Sequence, residues 1–171
     1  MSWFLTIDWW WLPLTKGMHT AVSCCDFEEL NKHKWHAQRI RKWGHVVARK
    51  GWNGVRYESI LMHRQLANPQ KGMVVDHISR DPLDNRRHNL RVCTQGENAC
   101  NSNKQKNNKS GFKGVCWKAH CSMWMAYITK GGKQKYLGYY NSKLDAAKVY
   151  DAAAVEIHGE FALTNKQLGL L

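Results

Sequence analysis

Four polar residues in the middle of the chain, Asp76, His77, Asn89 and Asn98, are of the types that a one-metal phosphodiesterase site uses. A hard cation such as Mg²⁺ takes carboxylate and amide oxygens, keeps several waters and draws its remaining ligands from substrate phosphate. Asp76 and Asn98 supply such oxygens. A histidine with its ordinary pKa of about 6.5 can take a proton from an attacking water at neutral pH. His77 stands beside the first metal-ligand candidate and fits that role. The set therefore predicts phosphodiester hydrolysis, with Asp76 and Asn98 placing a cation and His77 as general base.

The flanking sequence predicts elements able to position these groups. Met73 to Val75 is a short apolar run ending in Asp76 and His77, as expected for a strand that carries functional groups at its tip. Ser79 to Asn89 has the composition of a loop. Leu90-Arg91-Val92 alternates apolar and charged residues and reads as a second strand, while Thr94-x-x-Glu97 is a capping box that opens a helix. Asn98 then falls in the first turns of that helix, and two strands plus a helix bring Asp76 and Asn98 onto a common face. Glu97 is expected to cap the helix rather than to bind metal.

In this order the motifs resemble the phage and intron-encoded branch of the HNH homing-endonuclease family, whose nuclease site is a ββα-metal finger. The matching residues are Met62-His63-Arg64, Val74-Val75-Asp76-His77, Asp84-Asn85, Asn89-Leu90 and Thr94-Gln95-Gly96-Glu97-Asn98. The resemblance implies that Asp76 and Asn98 hold the metal, that His77 is the base, and that Asn89 tethers the finger so that His77 points at the phosphate. Family members often carry histidine at the position of Asn98. For His63 a packing or hydrogen-bonding role is expected ahead of direct catalysis. The implied cofactor is a divalent metal, Mg²⁺ first and Mn²⁺ as the alternative.

Charge points to the partner. The chain has 26 Lys plus Arg against 13 Asp plus Glu, a net charge of +13, which favours a polyanion bound through phosphate neutralisation and counterion release. Eight of these cations lie between Asn31 and Tyr57 with no acidic residue (Lys32, Lys34, Arg39, Arg41, Lys42, Arg49, Lys50, Arg56), and five lysines lie between Ala99 and Ala126, again without an acid. Around the finger, Arg80, Arg86, Arg87 and Arg91 are placed to hold a duplex in register. Double-stranded DNA is the expected partner.

The run from Trp3 to Leu12 is apolar but too short to span a bilayer, is interrupted by Asp8 and lacks a basic leader, so no membrane segment or export signal is expected. Of the six cysteines only Cys116 and Cys121 approach the spacing of a zinc-binding pair, and no second pair accompanies them. No structural zinc is expected, and the thiols are expected to be reduced.

Residues from about Leu14 to Met73 read as a small β-rich platform. It contains a short helix near Asp26 to Leu30 with Asp26 as cap, β-prone stretches at Lys34 to Ile40, His45 to Arg49 and Val55 to Leu61, and a hairpin turn at Gly51 to Gly54. Asn101 to Ser110 is rich in Asn, Lys, Ser and Gln and reads as a linker. It is either a passive solvated tether or, through Lys104, Lys106 and Lys109, a segment that tracks a phosphate backbone. Beyond it come three β-prone runs at Val115 to Trp117, Trp124 to Thr129 and Lys135 to Tyr140. A helix follows from the cap Ser142 to His158, with apolar residues at helical spacing.

This last region, Ser110 to Asn165, resembles the AP-two, or ethylene-response-factor, DNA-binding domain, known in plant transcription factors and also fused to phage HNH nucleases. The matches include Gly111-Phe112-Lys113-Gly114-Val115, Trp117, Trp124, Tyr136-Leu137-Gly138-Tyr139-Tyr140, Tyr150-Asp151-Ala152-Ala153 and His158-Gly159-Glu160-Phe161-Ala162-Leu163-Thr164-Asn165. The resemblance implies a three-stranded sheet lying in the major groove, with Lys113, Trp117, Lys118, Trp124, Tyr127 and Tyr136 as candidates to touch DNA. Cys116, Tyr127 and Thr129 stand near positions where the plant domain carries base-reading arginines, so a different or less sharply read sequence is expected. For Trp124 and Tyr150, packing between helix and sheet is at least as strong a reading.

The expected fold is α+β: a β-rich N-terminal platform leading into an HNH finger (residues 14–100), a basic linker (101–110), and a three-stranded antiparallel sheet on one helix (111–165). The expected function is that of a metal-dependent, site-specific HNH DNA endonuclease. It would act inside a cell, in the host cytoplasm if phage-encoded, and sit on DNA as a monomer, with a dimer left open. A monomer would nick and a pair would break both strands. The competing class is a non-catalytic DNA-binding regulator that keeps the finger as a scaffold, against which the intact Asp76, His77, Asn89 and Asn98 argue. RNA binding is a third class, disfavoured because the sheet needs a wide major groove.

Overall fold

The computed structural model describes residues 8–40, 44–52 and 56–171. Trp3 to Ile7 of the apolar N-terminal run, the basic residues Arg41 and Lys42, and Asn53 to Val55 of the expected hairpin turn lie outside the described residues. The fold is α+β, as expected, and divides into two compact units, one through Cys93 and one from Thr94 to Leu171. No described helix is long and apolar enough to cross a membrane.

The first unit opens with β1 (Trp9–Pro13) and β2 (His19–Ser23), an antiparallel pair, followed by α1 (Cys24–Asn31). The helix begins one turn before the expected cap. Ser23 occupies the N-cap position, and Asp26 is buried in the first turn with its carboxylate bound by Arg87. A local capping rule cannot see a guanidinium that arrives from 61 residues away. Strands β3 (His36–Ile40), β4 (Gly44–Trp52) and β5 (Tyr57–Leu61) then form one antiparallel sheet in that order, and Gly51 belongs to β4 rather than to a turn. Helix α2 (Met62–Ala67) follows directly.

Leu12, Leu14, Val22, Leu30, Trp35, Val47 and Met62 are buried together and form the core of this unit. Trp35 combines the largest buried ring with a satisfied polar edge, since its indole N–H donates to the Leu30 carbonyl at 2.8 Å. The remaining strands are short. Antiparallel β6 (Val74–His77) and β8 (Leu90–Cys93) pair Asp76 opposite Arg91 and His77 opposite Leu90. Between them β7 (Asp84–Asn85) lies parallel to β2, so the loop read from composition carries a strand that docks it on the N-terminal hairpin.

The second unit starts at α3 (Gln95–Cys100), whose capping box is complete: Thr94 Oγ1 accepts from the Glu97 N–H, and the Glu97 carboxylate accepts from the Thr94 N–H at 2.8 Å. Glu97 therefore caps, as read from its spacing. The strands β9 (Val115–Lys118), β10 (Met123–Lys130) and β11 (Lys133–Tyr140) form an antiparallel sheet with β10 central, and α4 (Lys143–His158) packs on it from its cap Ser142. Ala146, Ala147, Ala153 and Ala154 are buried, and their small side chains let the helix approach Val115, Ala126 and Ile128 closely.

Tyr150 fills the remaining gap beside Gly114, where an added Cβ would collide with the ring and where φ is +72°. The basic segment before this sheet is anchored at both ends. Asn101 and Ser110 are buried, and the Ser110 hydroxyl bonds the Phe112 and Val115 carbonyls, so composition alone understated how firmly polar side chains can fix such a stretch.

Candidate active site

The antiparallel pair β6 and β8 delivers Asp76 and His77 at the end of β6. The Asp76 side chain is only 7% exposed, and its Oδ2 accepts from Arg91 Nε at 2.9 Å and Nη2 at 2.7 Å. A carboxylate this buried is costly without compensation, and the cross-strand guanidinium supplies it. Arg91 is itself 12% exposed, so the structure places this predicted DNA contact inside the site, on the predicted metal ligand.

His77 lies against two other groups. Its Nε2 is 3.4 Å from Asn85 Oδ1, and its ring meets that of His63 edge to face with centroids 5.2 Å apart. Burial pushes the His77 pKa below its ordinary value, opposed by the Asn85 hydrogen bond and by the carboxylates of Asp76, Asp81 and Asp84. Burial, reinforced by His77 and Arg64, holds His63 lower still, at about 4. Two uncharged imidazoles at neutral pH are the result. A neutral imidazole is the form that can accept a proton.

Asn89 is buried and works on the backbone. Its Oδ1 accepts from the Ser79 N–H at 2.8 Å and its Nδ2 donates to the Asp84 carbonyl at 2.7 Å, which closes the segment between β6 and β8 at both ends. It thus bonds the chain that carries His77. Asn98, half-buried on α3, belongs to the second unit.

Each of the other predicted arginines has a definite place. Arg86 binds the Asp84 carboxylate through two 2.7 Å hydrogen bonds and stacks its guanidinium over Trp9, and those hydrogen bonds, more than its charge, hold the Asp84 carboxyl below the usual range. Arg87 clamps Asp26 in the same bidentate way but keeps 57% of its side chain exposed. Arg80 is exposed at the loop tip with φ +66°.

In the second unit, Lys106 and Lys109 are exposed and Lys104 is partly so. Lys113 extends its ammonium to the Cys100 carbonyl at 2.6 Å. Trp117 is 48% and Tyr136 55% exposed, whereas Lys118 and Tyr127 are half-buried. Trp124, half-buried, packs against the core and meets Trp117 edge to face, and Tyr150 is buried between helix and sheet.

Sequence reasoning missed Thr20, Asn85 and Asp26 as parts of this region. Thr20 and Asp26 had no local signal, because their partners lie more than 60 residues away. Asn85 stood within a matched motif without a role.

Among the described residues no three His, Cys, Asp or Glu side chains group around one point. A hydrated hard cation does not need such a cluster, because it binds through one or two carboxylates, retained waters and substrate phosphate. The donor types fit that class of ion, since Asp76 offers carboxylate and Asn98 amide oxygens, and in this structure the Asp76 carboxylate is held by Arg91.

The pattern of the HNH endonuclease family matches residues 68–100, the stretch that contains β6, β8 and α3. Protein 3.8 of Escherichia phage T7 is 36% identical over 92 residues, covering 54% of this chain and 75% of that protein. An uncharacterised HNH endonuclease of Acanthamoeba polyphaga mimivirus is 28% identical over 159 residues, 88% of this chain and 76% of the relative. An ethylene-responsive transcription factor of Arabidopsis thaliana is 43% identical over 58 residues, 33% of this chain but 14% of that protein. The chain thus carries an HNH endonuclease domain at residues 68–100, and over most of its length it is similar to a viral HNH endonuclease.

Proposed function

We propose that the protein is a divalent-metal-dependent DNA endonuclease that hydrolyses phosphodiester bonds, with residues 14–100 as the nuclease, 101–110 as the joining segment and 111–165 as a reader that positions it on duplex DNA. The observation that carries this reading is a buried carboxylate, Asp76, next to an imidazole, His77, whose Nε2 meets Asn85 Oδ1. Asp76 and Asn98 would hold a hydrated Mg²⁺ or Mn²⁺, which when bound supplies charge stabilisation at the scissile phosphate and the leaving oxygen.

The chain's own groups do the rest. His77 takes a proton from the attacking water. Asn89 keeps the loop closed behind it. Arg80 and Arg87, both exposed, lie on the finger where they can meet phosphates. A net charge of +13 supplies the general attraction to nucleic acid.

The reader role rests on the match to part of a plant transcription factor and on the exposed aromatic and basic groups Trp117, Tyr136, Lys106 and Lys109. Tyr127 and Lys118, half-buried in the same sheet, are further candidates. The protein would work in the cell that holds its target DNA, nicking as a monomer or cutting both strands as a pair. Incubation with end-labelled duplexes of random sequence, with and without Mg²⁺, tests the reading. Discrete Mg²⁺-dependent cuts at a recurring sequence are expected, and protection of sites without any cutting would instead identify a DNA-binding regulator.

A further inference from the structure

A chain of hydrogen bonds runs from β2 into the candidate site, and its direction can be fixed link by link. Asn85 is fully buried, and its Nδ2 lies 3.2 Å from the Pro82 carbonyl and 2.9 Å from Thr20 Oγ1. A carbonyl can only accept, so the NH₂ end of the amide must face Pro82. Its second hydrogen then points at Thr20 Oγ1, which accepts. The Thr20 hydroxyl proton goes to the Leu83 carbonyl at 2.6 Å. With both amide hydrogens committed, the end of Asn85 that faces His77 Nε2 at 3.4 Å is the oxygen, which has no proton to give. The hydrogen of that contact must belong to His77.

We infer that Thr20 and Asn85 are positioning residues that hold His77 as its Nε2–H tautomer and so make Nδ1 the basic nitrogen. The network has no slack. Thr20 is fully buried on β2, and β7, which carries Asn85, is locked in parallel register with that strand, Ala21 opposite Asp84 and Val22 opposite Asn85. Turning the amide over would set its oxygen against the Pro82 carbonyl and present an NH₂ to Nε2, selecting the opposite tautomer. The N-terminal hairpin, far from the HNH segment in sequence, thereby decides which ring nitrogen receives a proton.

The functional consequence rests on the reading of His77 as general base. In that step a proton passes from water to Nδ1, the O–H bond electrons remain on the attacking oxygen, and the resulting imidazolium keeps its Nε2–H on Asn85. Fixing the tautomer beforehand means that no proton must first leave Nδ1.

The test reads the tautomer directly. Long-range ¹H–¹⁵N correlation spectra of the metal-free, full-length protein in mildly alkaline buffer distinguish protonated from unprotonated ring nitrogens. The expected pattern for His77 is a protonated Nε2 and a bare Nδ1; an Nδ1–H pattern would overturn the inference.

Thr20→Val removes both the acceptor for Asn85 and the donor to Leu83 at nearly constant volume, and Thr20→Ser restores them. Thr20→Val should mix the two tautomers and lower kcat by about 10–100-fold at unchanged KM for DNA, with recovery in Thr20→Ser. A Thr20→Val protein that keeps both the single Nε2–H pattern and full kcat would also overturn it. If no preparation cuts DNA, the nuclease reading fails while the spectrum still decides the tautomer, so the two claims are separable.

Discussion

Asp76 and Arg91 face each other across the β6–β8 pair as register partners, and the guanidinium of one donates to Oδ2 of the other through hydrogen bonds of 2.9 and 2.7 Å. The contact has two consequences. It balances a buried carboxylate, and it places a positive group where the proposed mechanism requires a cation. Removing the guanidinium by Arg91→Met leaves the carboxylate uncompensated and should destabilise the metal-free protein by about 3 kcal/mol. Added Mg²⁺ or Mn²⁺ should restore more stability to this variant than to the unsubstituted protein, because a ligand that binds the folded state stabilises it by mass action. Thermal denaturation with and without the metal measures both.

Cleavage and binding should separate. His77→Ala is expected to lower kcat by about 10²–10⁴-fold with affinity for duplex DNA unchanged, since binding draws on the basic surface. Asp76→Asn, which keeps the shape of the side chain but not its charge, should bind DNA and lose the response to metal. Filter binding alongside single-turnover cleavage reads each quantity independently.

His63 makes stability depend on pH. In the unfolded chain it binds a proton near 6.5, whereas in the folded protein burial and the neighbouring His77 delay this to about 4. Between those values the unfolded state holds more protons, so stability falls as pH drops through this window, by up to about 3 kcal/mol. His77, shifted in the same direction, adds to the slope. Urea denaturation from neutral to acid pH should show the decline, and His63→Gln should flatten it. The acid limb of cleavage should also lie below pH 6.5, because the imidazole of His77 stays unprotonated beyond its ordinary range.

Gly114 has a positive φ and is overlaid by the Tyr150 ring. Gly114→Ala combines a left-handed backbone cost with overpacking and should destabilise the second unit by about 2–4 kcal/mol. A chemical denaturation series on the full chain measures it, and an unchanged midpoint would mean that the close approach is not rigid.

How much of this was legible in the sequence depended on range. The capping box at Thr94 and Glu97, the strands on either side of the finger loop, and the three strands and helix of the second unit all follow from spacing over a few residues, and the structure has them. Asp26 shows the limit. By composition it caps a helix, yet its carboxylate belongs to Arg87, and Ser23 takes the cap position. Asn85 stood within a matched motif, but its partner Thr20 lies 65 residues earlier, and only a two-residue parallel strand brings them together. Such short parallel pairing has no periodicity to read. Ser110 was equally hidden, because a polar residue in an Asn- and Lys-rich run reads as solvated until the carbonyls around it are known.

Nicking of a supercoiled plasmid tests the central claim most directly. Purified protein should convert the plasmid to its open circle with Mg²⁺ and leave it intact with EDTA, and Asp76→Asn and His77→Ala should leave it intact under both conditions. Undiminished cutting by the His77→Ala protein, or an intact plasmid with the unsubstituted protein and Mg²⁺, would contradict the account.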